Sequence, residues 1–242
     1  MPEELGSDIM TVGQTFGSGG MSIIENMLEP EIQARPDYSP NKNKGPLHDS
    51  RYSYDVVVNG PLRSVIKVTT TNWNSGQGFY EMEQYYTAVA HKSWSTVEVR
   101  FTEFLPPNKD VLFGAGIREI MNEYKSTYHK GYAVSMGKDI ESRIPDEDLG
   151  EEVTIVPWQG IGIIIQDKYM PQYLPIKSYG GNHLFKMPVT EDLSYEYMIV
   201  GGWSFGEVNN DEPSFLKYME EEAVKYNNPP IVEIHNYEIK DK

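Results

Sequence analysis

Short runs of β-branched and aromatic residues, broken by Gly, Pro, Asn and Asp at intervals of roughly 8–15 residues, dominate the chain from Arg51 onward. A chain punctuated so often cannot build long helices, and the pattern is that of an all-β sandwich or barrel. The runs cover 52–58, 62–70, 79–90, 96–104, 111–116, 132–136, 153–156, 161–166, 184–188 and 195–200. Asn59-Gly60-Pro61 reads as a hairpin connection, and His91-Lys92-Ser93 separates the next pair of runs. The fold class is therefore all-β, an antiparallel β-sandwich with one or two short helices. Residues 1–242 are expected to form a single such domain.

The clearest helix follows Asp211, a capping residue with Pro213 in the first turn. Phe215, Leu216, Met219, Ala223 and Tyr226 keep helical spacing until Asn227-Asn228-Pro229-Pro230 stops it. Ile117, Ile120, Met121 and Tyr124 also fit helical spacing, or else extend the preceding strand. The first 50 residues look irregular. Gly13 to Gly20 reads as a turn or a bulged strand, because the Gly-Lys-Ser/Thr ending of a phosphate loop is missing. Residues 30–46 read as a surface loop, 146–152 as a solvated acidic loop, and 231–239 as a last edge strand.

Composition removes whole classes of function. A formal charge of −15 disfavours nucleic acid and anionic membrane surfaces as partners. With no cysteine, neither disulfides nor thiolate chemistry is available. No apolar run is long enough to span a membrane, so no membrane insertion is expected. The acidic Met1–Leu5 does not resemble a secretory signal. Seventeen tyrosines suit half-buried strands and sugar-binding clefts alike.

The best pointer to a site is Tyr179-Gly180-Gly181-Asn182-His183, where two glycines precede a polar pair at a strand entrance. His183 and, at the entrance of another strand, His48 are the candidate histidines. His91, His129 and His235 read as surface residues. No compact histidine motif predicts a metal, and no cofactor is expected. Arg51 and Arg118 are placed at polar or glycine-rich junctions, where a guanidinium could hold a carboxylate. Glu81, Glu83 and Tyr85 share one strand face, with Met82, Gln84 and Tyr86 on the other. Trp203, in Gly-Gly-Trp-Ser, is the most site-like tryptophan.

Several blocks together resemble a known family. They include Val12 to Gly20, Asp49-Ser50-Arg51-Tyr52 with Val58 to Ser64, Tyr80 to Gln84, and Phe113 to Arg118. Ser135 to Asp139, Ser178 to His183 and Ser194 to Tyr197 complete the set. The set resembles the bacterial "domain of unknown function 4861" family of polysaccharide-utilisation systems, over roughly residues 8–230. The resemblance implies a supersandwich-like fold, a periplasmic or exported location, and an oligosaccharide partner bearing uronate. Family members carry a further stretch before the glycine-rich segment, which implies an N-terminally incomplete domain here. An exposed sheet edge covered by a second copy or a partner chain is then expected. The implied reaction is dehydration of a terminal uronic acid to a 4,5-unsaturated sugar, a carbon–oxygen lyase reaction. His183 is then the base and Tyr179 or His48 the acid, while Arg51, Arg118, Asn182, Glu83 and Trp203 bind substrate. The alternatives are a non-catalytic sugar-binding module, a glycoside hydrolase using Glu81 or Glu83, and a mutarotase or epimerase.

Overall fold

A computed structural model describes residues 15–36, 50–146, 150–177 and 180–231. Two antiparallel sheets pack face to face. The smaller has the order β1 (Ser18–Ile24), β6 (Leu112–Arg118), β11 (Asn182–Pro188), β10 (Gln172–Ile176). The larger has the order β2 (Arg51–Asn59), β3 (Arg63–Asn74), β4 (Phe79–Val89), β5 (Trp94–Leu105), β12 (Ser194–Trp203), β9 (Gly150–Ile165), β8 (Tyr132–Asp146), β7 (Asn122–His129). The antiparallel sandwich expected from the periodicity is the architecture found.

Strand alternation builds the layers. Phe113, Ala115 and Ile117 of β6 and Phe185 and Met187 of β11 face Tyr80, Met82, Val97, Val99, Ile161, Ile163, Tyr195 and Tyr197 of the larger sheet. The opposite face of the larger sheet carries Val134, Met136, Ile164, Met198 and Val200, and α1 (Glu212–Asn227) covers it with Phe215, Met219 and Ala223. The Asp211 carboxylate accepts from the Ser214 amide at 2.9 Å, giving the expected cap with Pro213 inside the first turn. A third cluster, Phe16, Ile24, Ile176 and Leu184, lies on the outer face of the smaller sheet.

Of the two readings of the glycine-rich start, the bulged strand is the one found: β1, entered through a bulge at Ser18/Gly20. Other expectations change. The segment from Ile117 to Tyr124 is no helix: β6 ends at Arg118, and β7 starts at Asn122 after a tight turn. Residues 150–165 form one strand rather than two runs, and β10 falls where no strand was expected. Glu151 and Glu152 belong to β9 rather than to a loop. The expected edge strand over 231–239 lies outside the described residues beyond Ile231, as do His48 and Tyr179.

Candidate functional site

The site forms where the β10–β11 side of the smaller sheet meets the β7–β8 edge of the larger one. His183 pairs with Ile117 across β11 and β6, so it shares the inward face with Phe185. Tyr173 pairs with Phe185 and packs on the same core from β10. The Tyr173 hydroxyl lies 2.6 Å from His183 Nδ1, and His183 Nε2 lies 2.7 Å from Glu123 Oε2. With Glu123 ionised, Nε2 donates to it, and Nδ1 accepts from the Tyr173 hydroxyl.

A bulge delivers Glu123 from β7. The register shifts between Glu123 and Lys125, inserting Tyr124 as the extra residue. Tyr124 and Lys125 both turn to Glu212 at the start of α1, on the outer side. Glu123 is thereby left pointing inward, where the Ser135 hydroxyl donates to it and itself accepts the Ile120 amide at 2.9 Å. Burial by itself pushes the Glu123 carboxyl up. The hydrogen bonds from His183 and Ser135 outweigh that and hold it below the usual carboxylate range.

Glu119 reaches the cluster from the turn after β6. Its amide donates to the Gly181 carbonyl at 2.9 Å, and Lys177 Nζ sits 2.5 Å from its carboxylate. Gly180 and Gly181 have φ of +86° and +85°. A Cβ on Gly181 would lie 2.3 Å from Glu119 Oε2, so only glycine admits that carboxylate. Tyr128 of β7 stacks on Tyr173 with centroids 4.1 Å apart and planes 9° apart. The Tyr128 side of this stack is open to solvent, at 61% exposure. Burial, then the charge of Glu123, pushes the Tyr173 phenol up to about 12.

Of the residues expected at the site, His183 lies at its centre. Asn182 faces the other way: its Oδ1 accepts the Phe16 amide at 2.8 Å on the outer face of the smaller sheet. Arg118 pairs with Asn182 and shares that outward parity, being 4% exposed. Arg51 begins β2, at the opposite edge of the larger sheet, seven strand intervals from β7. That is about 34 Å at normal strand spacing. Glu83 points out from β4, on the face away from the core, bonded to Tyr85 at 2.7 Å and Lys67 at 3.3 Å. Trp203 ends β12, three strands from β7, with its ring against Phe205. Chemistry that needs these five beside His183 is not assembled here.

What sequence reasoning missed is Glu119, Glu123, Ser135, Tyr173, Tyr128 and Lys177. The signal for the glutamates lay in residues 118–123: read as two strands joined by a turn, that segment brings Glu119 and Glu123 together. No metal was expected, yet oxygens of Glu119 and Glu123 and a ring nitrogen of His183 all lie within 4.8 Å of one another. That set could hold a cation.

The family model described as "Domain of unknown function (DUF4861)" matches residues 2–232, so the chain belongs to that family. No curated protein matches the sequence. Among solved structures, one similar chain is a quadruple mutant of the alpha-N-acetylgalactosaminidase NagBb from Bifidobacterium bifidum. It is 9% identical with a TM-score of 0.42, and the match covers 73% of this chain and 31% of that one. This chain thus spans about a third of that structure's length. No helix among the described residues is long and apolar enough to cross a membrane.

Proposed function

We propose that this member of the DUF4861 family acts on uronate-bearing oligosaccharides by β-elimination, removing water across C4 and C5 of a terminal uronic acid. One observation carries the reading: the Tyr173 hydroxyl stands 2.6 Å from His183 Nδ1, and the solvent-exposed Tyr128 stacks on the Tyr173 ring. A flat apolar ring beside a proton-transfer pair suits a sugar. The family resemblance supplies the uronate.

Tyr173 is half-buried and His183 is buried, so Tyr173 is the member that meets the substrate. Its oxygen takes the C5 proton, and the C–H electron pair becomes the C4–C5 double bond. The C4–O bond breaks with its pair, and the departing oxygen receives that proton and leaves as water. Without a cation, His183 Nδ1, behind the phenol, takes the phenol's own proton so that the oxygen can accept the one from C5, and returns it once that proton has left with the water.

The test is incubation with a panel of uronate-ended oligosaccharides, following the ultraviolet absorbance of the conjugated product alongside mass spectrometry. Rising absorbance with loss of one water supports the reading, and His183→Ala and Tyr173→Phe should abolish it. Full activity in a folded His183→Ala protein, or no product from a folded wild type, overturns it. Absorbance that rises with chain cleavage makes the protein a polysaccharide lyase.

A second reading, glycoside hydrolysis, is favoured by the Glu119–Glu123 pair, whose oxygens lie within 4.8 Å. Retaining glycosidases hold two carboxyls about 5 Å apart. Saturated products that have gained water would select it.

A further inference from the structure

We propose that Glu119, Glu123 and His183 hold a divalent transition cation, bound at His183 Nε2 in place of the hydrogen bond to Glu123, and that this cation receives the substrate's carboxylate. The cation site stands on its own geometry. Its assignment to a carboxylate rests on the elimination proposed above.

The three ligand atoms lie within 4.8 Å of one another and come from three separate places: the turn after β6, the bulged start of β7, and β11. Each is oriented by a group outside the set. Tyr173 holds His183 at Nδ1, the nitrogen a metal at Nε2 leaves over. Ser135 holds Glu123 and is itself pinned by the Ile120 amide. Gly181 receives the Glu119 amide and leaves room for its carboxylate. Metal-ligating histidines and carboxylates characteristically carry such outer partners.

A second observation is independent of the cluster. Gln159 is fully buried, and neither polar atom of its amide has a hydrogen-bond partner. It pairs with Gly137, which pairs with Glu123, and by alternation with Ile161 and Ile163 it faces the cleft side. This bare buried amide lies in the register row of Glu123, two strands and about 10 Å away by strand spacing, so the inward face at this end of the sheet carries polar groups that the described side chains leave unmet.

Charge points the same way. Among the described residues, two carboxylates face one ammonium, Lys177, which is already paired with Glu119. A uronate entering beside them meets net repulsion, and Arg51 and Arg118 stand elsewhere. A dication reverses the sign. In the cation-bound form the imidazole proton instead sits on Nδ1 and donates to Tyr173 as a phenolate, whose own proton passes to solvent before the C5 proton is taken. A nitrogen among the ligands favours Mn2+ or Zn2+ over Ca2+ or Mg2+.

The experiment is calorimetric titration of the chelator-treated full chain with Mn2+ and with Zn2+, with Mn2+ paramagnetic resonance as a second readout. One equivalent should bind. Glu119→Gln and Glu123→Gln should each weaken binding about tenfold or more, while Glu83→Gln on the outer face should bind as wild type does. Circular dichroism checks folding, and if Glu123→Gln does not fold, Glu119→Gln carries the test from its turn. No saturable binding to folded wild type, or undiminished binding in Glu119→Gln, overturns the site. Binding without turnover of any uronate keeps the site and sinks the elimination. Turnover by protein that binds no cation does the reverse.

Discussion

Replacing Gly181 with alanine tests whether the glycine pair serves the site or only the turn. Its φ of +85° is a conformation that costs a residue with a Cβ about 1–2 kcal/mol. The new Cβ would also stand 2.3 Å from Glu119 Oε2, 2.5 Å from Cδ and 3.0 Å from Cγ. The carboxylate must swing out, leaving Lys177, and an ion pair that exposed contributes little to stability. Gly180 is the internal control. Its φ is +86°, but its Cβ would meet only Thr15 Cγ2, at 3.1 Å. Both variants should therefore lose about 1–2 kcal/mol, and each kcal/mol lowers the melting temperature of a chain this long by about 2–4 °C. Calorimetric melting should show similar falls for the two. Cation affinity and turnover should drop sharply in Gly181→Ala and stay near wild type in Gly180→Ala. If the two variants bind and turn over alike, Glu119 has no part in the site.

Ser135→Ala removes the hydroxyl shared by the Ile120 amide and Glu123, and urea denaturation should show a loss of about 1–3 kcal/mol. Phe215→Ala opens a cavity between α1 and the larger sheet, with an expected cost of about 3–5 kcal/mol in the same assay. Burial by itself raises the Glu222 carboxyl, but Lys225, Trp94 and Lys92 outweigh it and hold the folded value below the unfolded one. That stabilisation is present above the unfolded value and is lost as pH falls through the folded one. The melting-temperature gap between wild type and Glu222→Gln should therefore narrow from neutral to strongly acidic pH, and a constant gap would count against it. Glu83→Gln should leave turnover within about twofold of wild type, because the residue faces away from the cleft; a larger loss in an activity assay would reopen its placement.

The elements most legible in the sequence are those decided locally. The helix α1 starts where a capping aspartate and a proline say it must, because the cap is made between residues three apart. The hairpin at Asn59-Gly60-Pro61 is likewise local, closing with the Gly60 amide on the Arg63 carbonyl at 3.0 Å. The missed strands each break a local rule for a non-local reason. Pro175 argues against a strand, yet β10 is the edge of the smaller sheet, where a missing amide donor is tolerated. In β7 the bulge at Tyr124 shifts the alternation, so the period of two cannot be read through it. Pro157 and Gly160 look like punctuation inside β9, but both lie within one continuous strand.

The site was half legible for a related reason. Two glycines and a polar pair located His183, but a strand turns consecutive side chains to opposite faces, so Asn182 and His183 cannot serve one cleft together. Register then carries the parity across the sheet: Arg118 lies opposite Asn182 and follows it outward, while Ile117 lies opposite His183 and follows it inward. The groups that reach His183 must therefore come from inward positions on strands that neighbour it in space. Tyr173 is two pairs along β10 from Pro175, the residue opposite His183, and its parity is inward. Glu123 lies 60 residues away in sequence and arrives from the other sheet. Were residue 124 accommodated without the bulge, the Glu123 to Ser126 stretch would alternate strictly and send one of those two side chains outward. Which acid meets this histidine is thus decided by a bulge in an edge strand and by the packing of two sheets, neither of which a period of two can reveal.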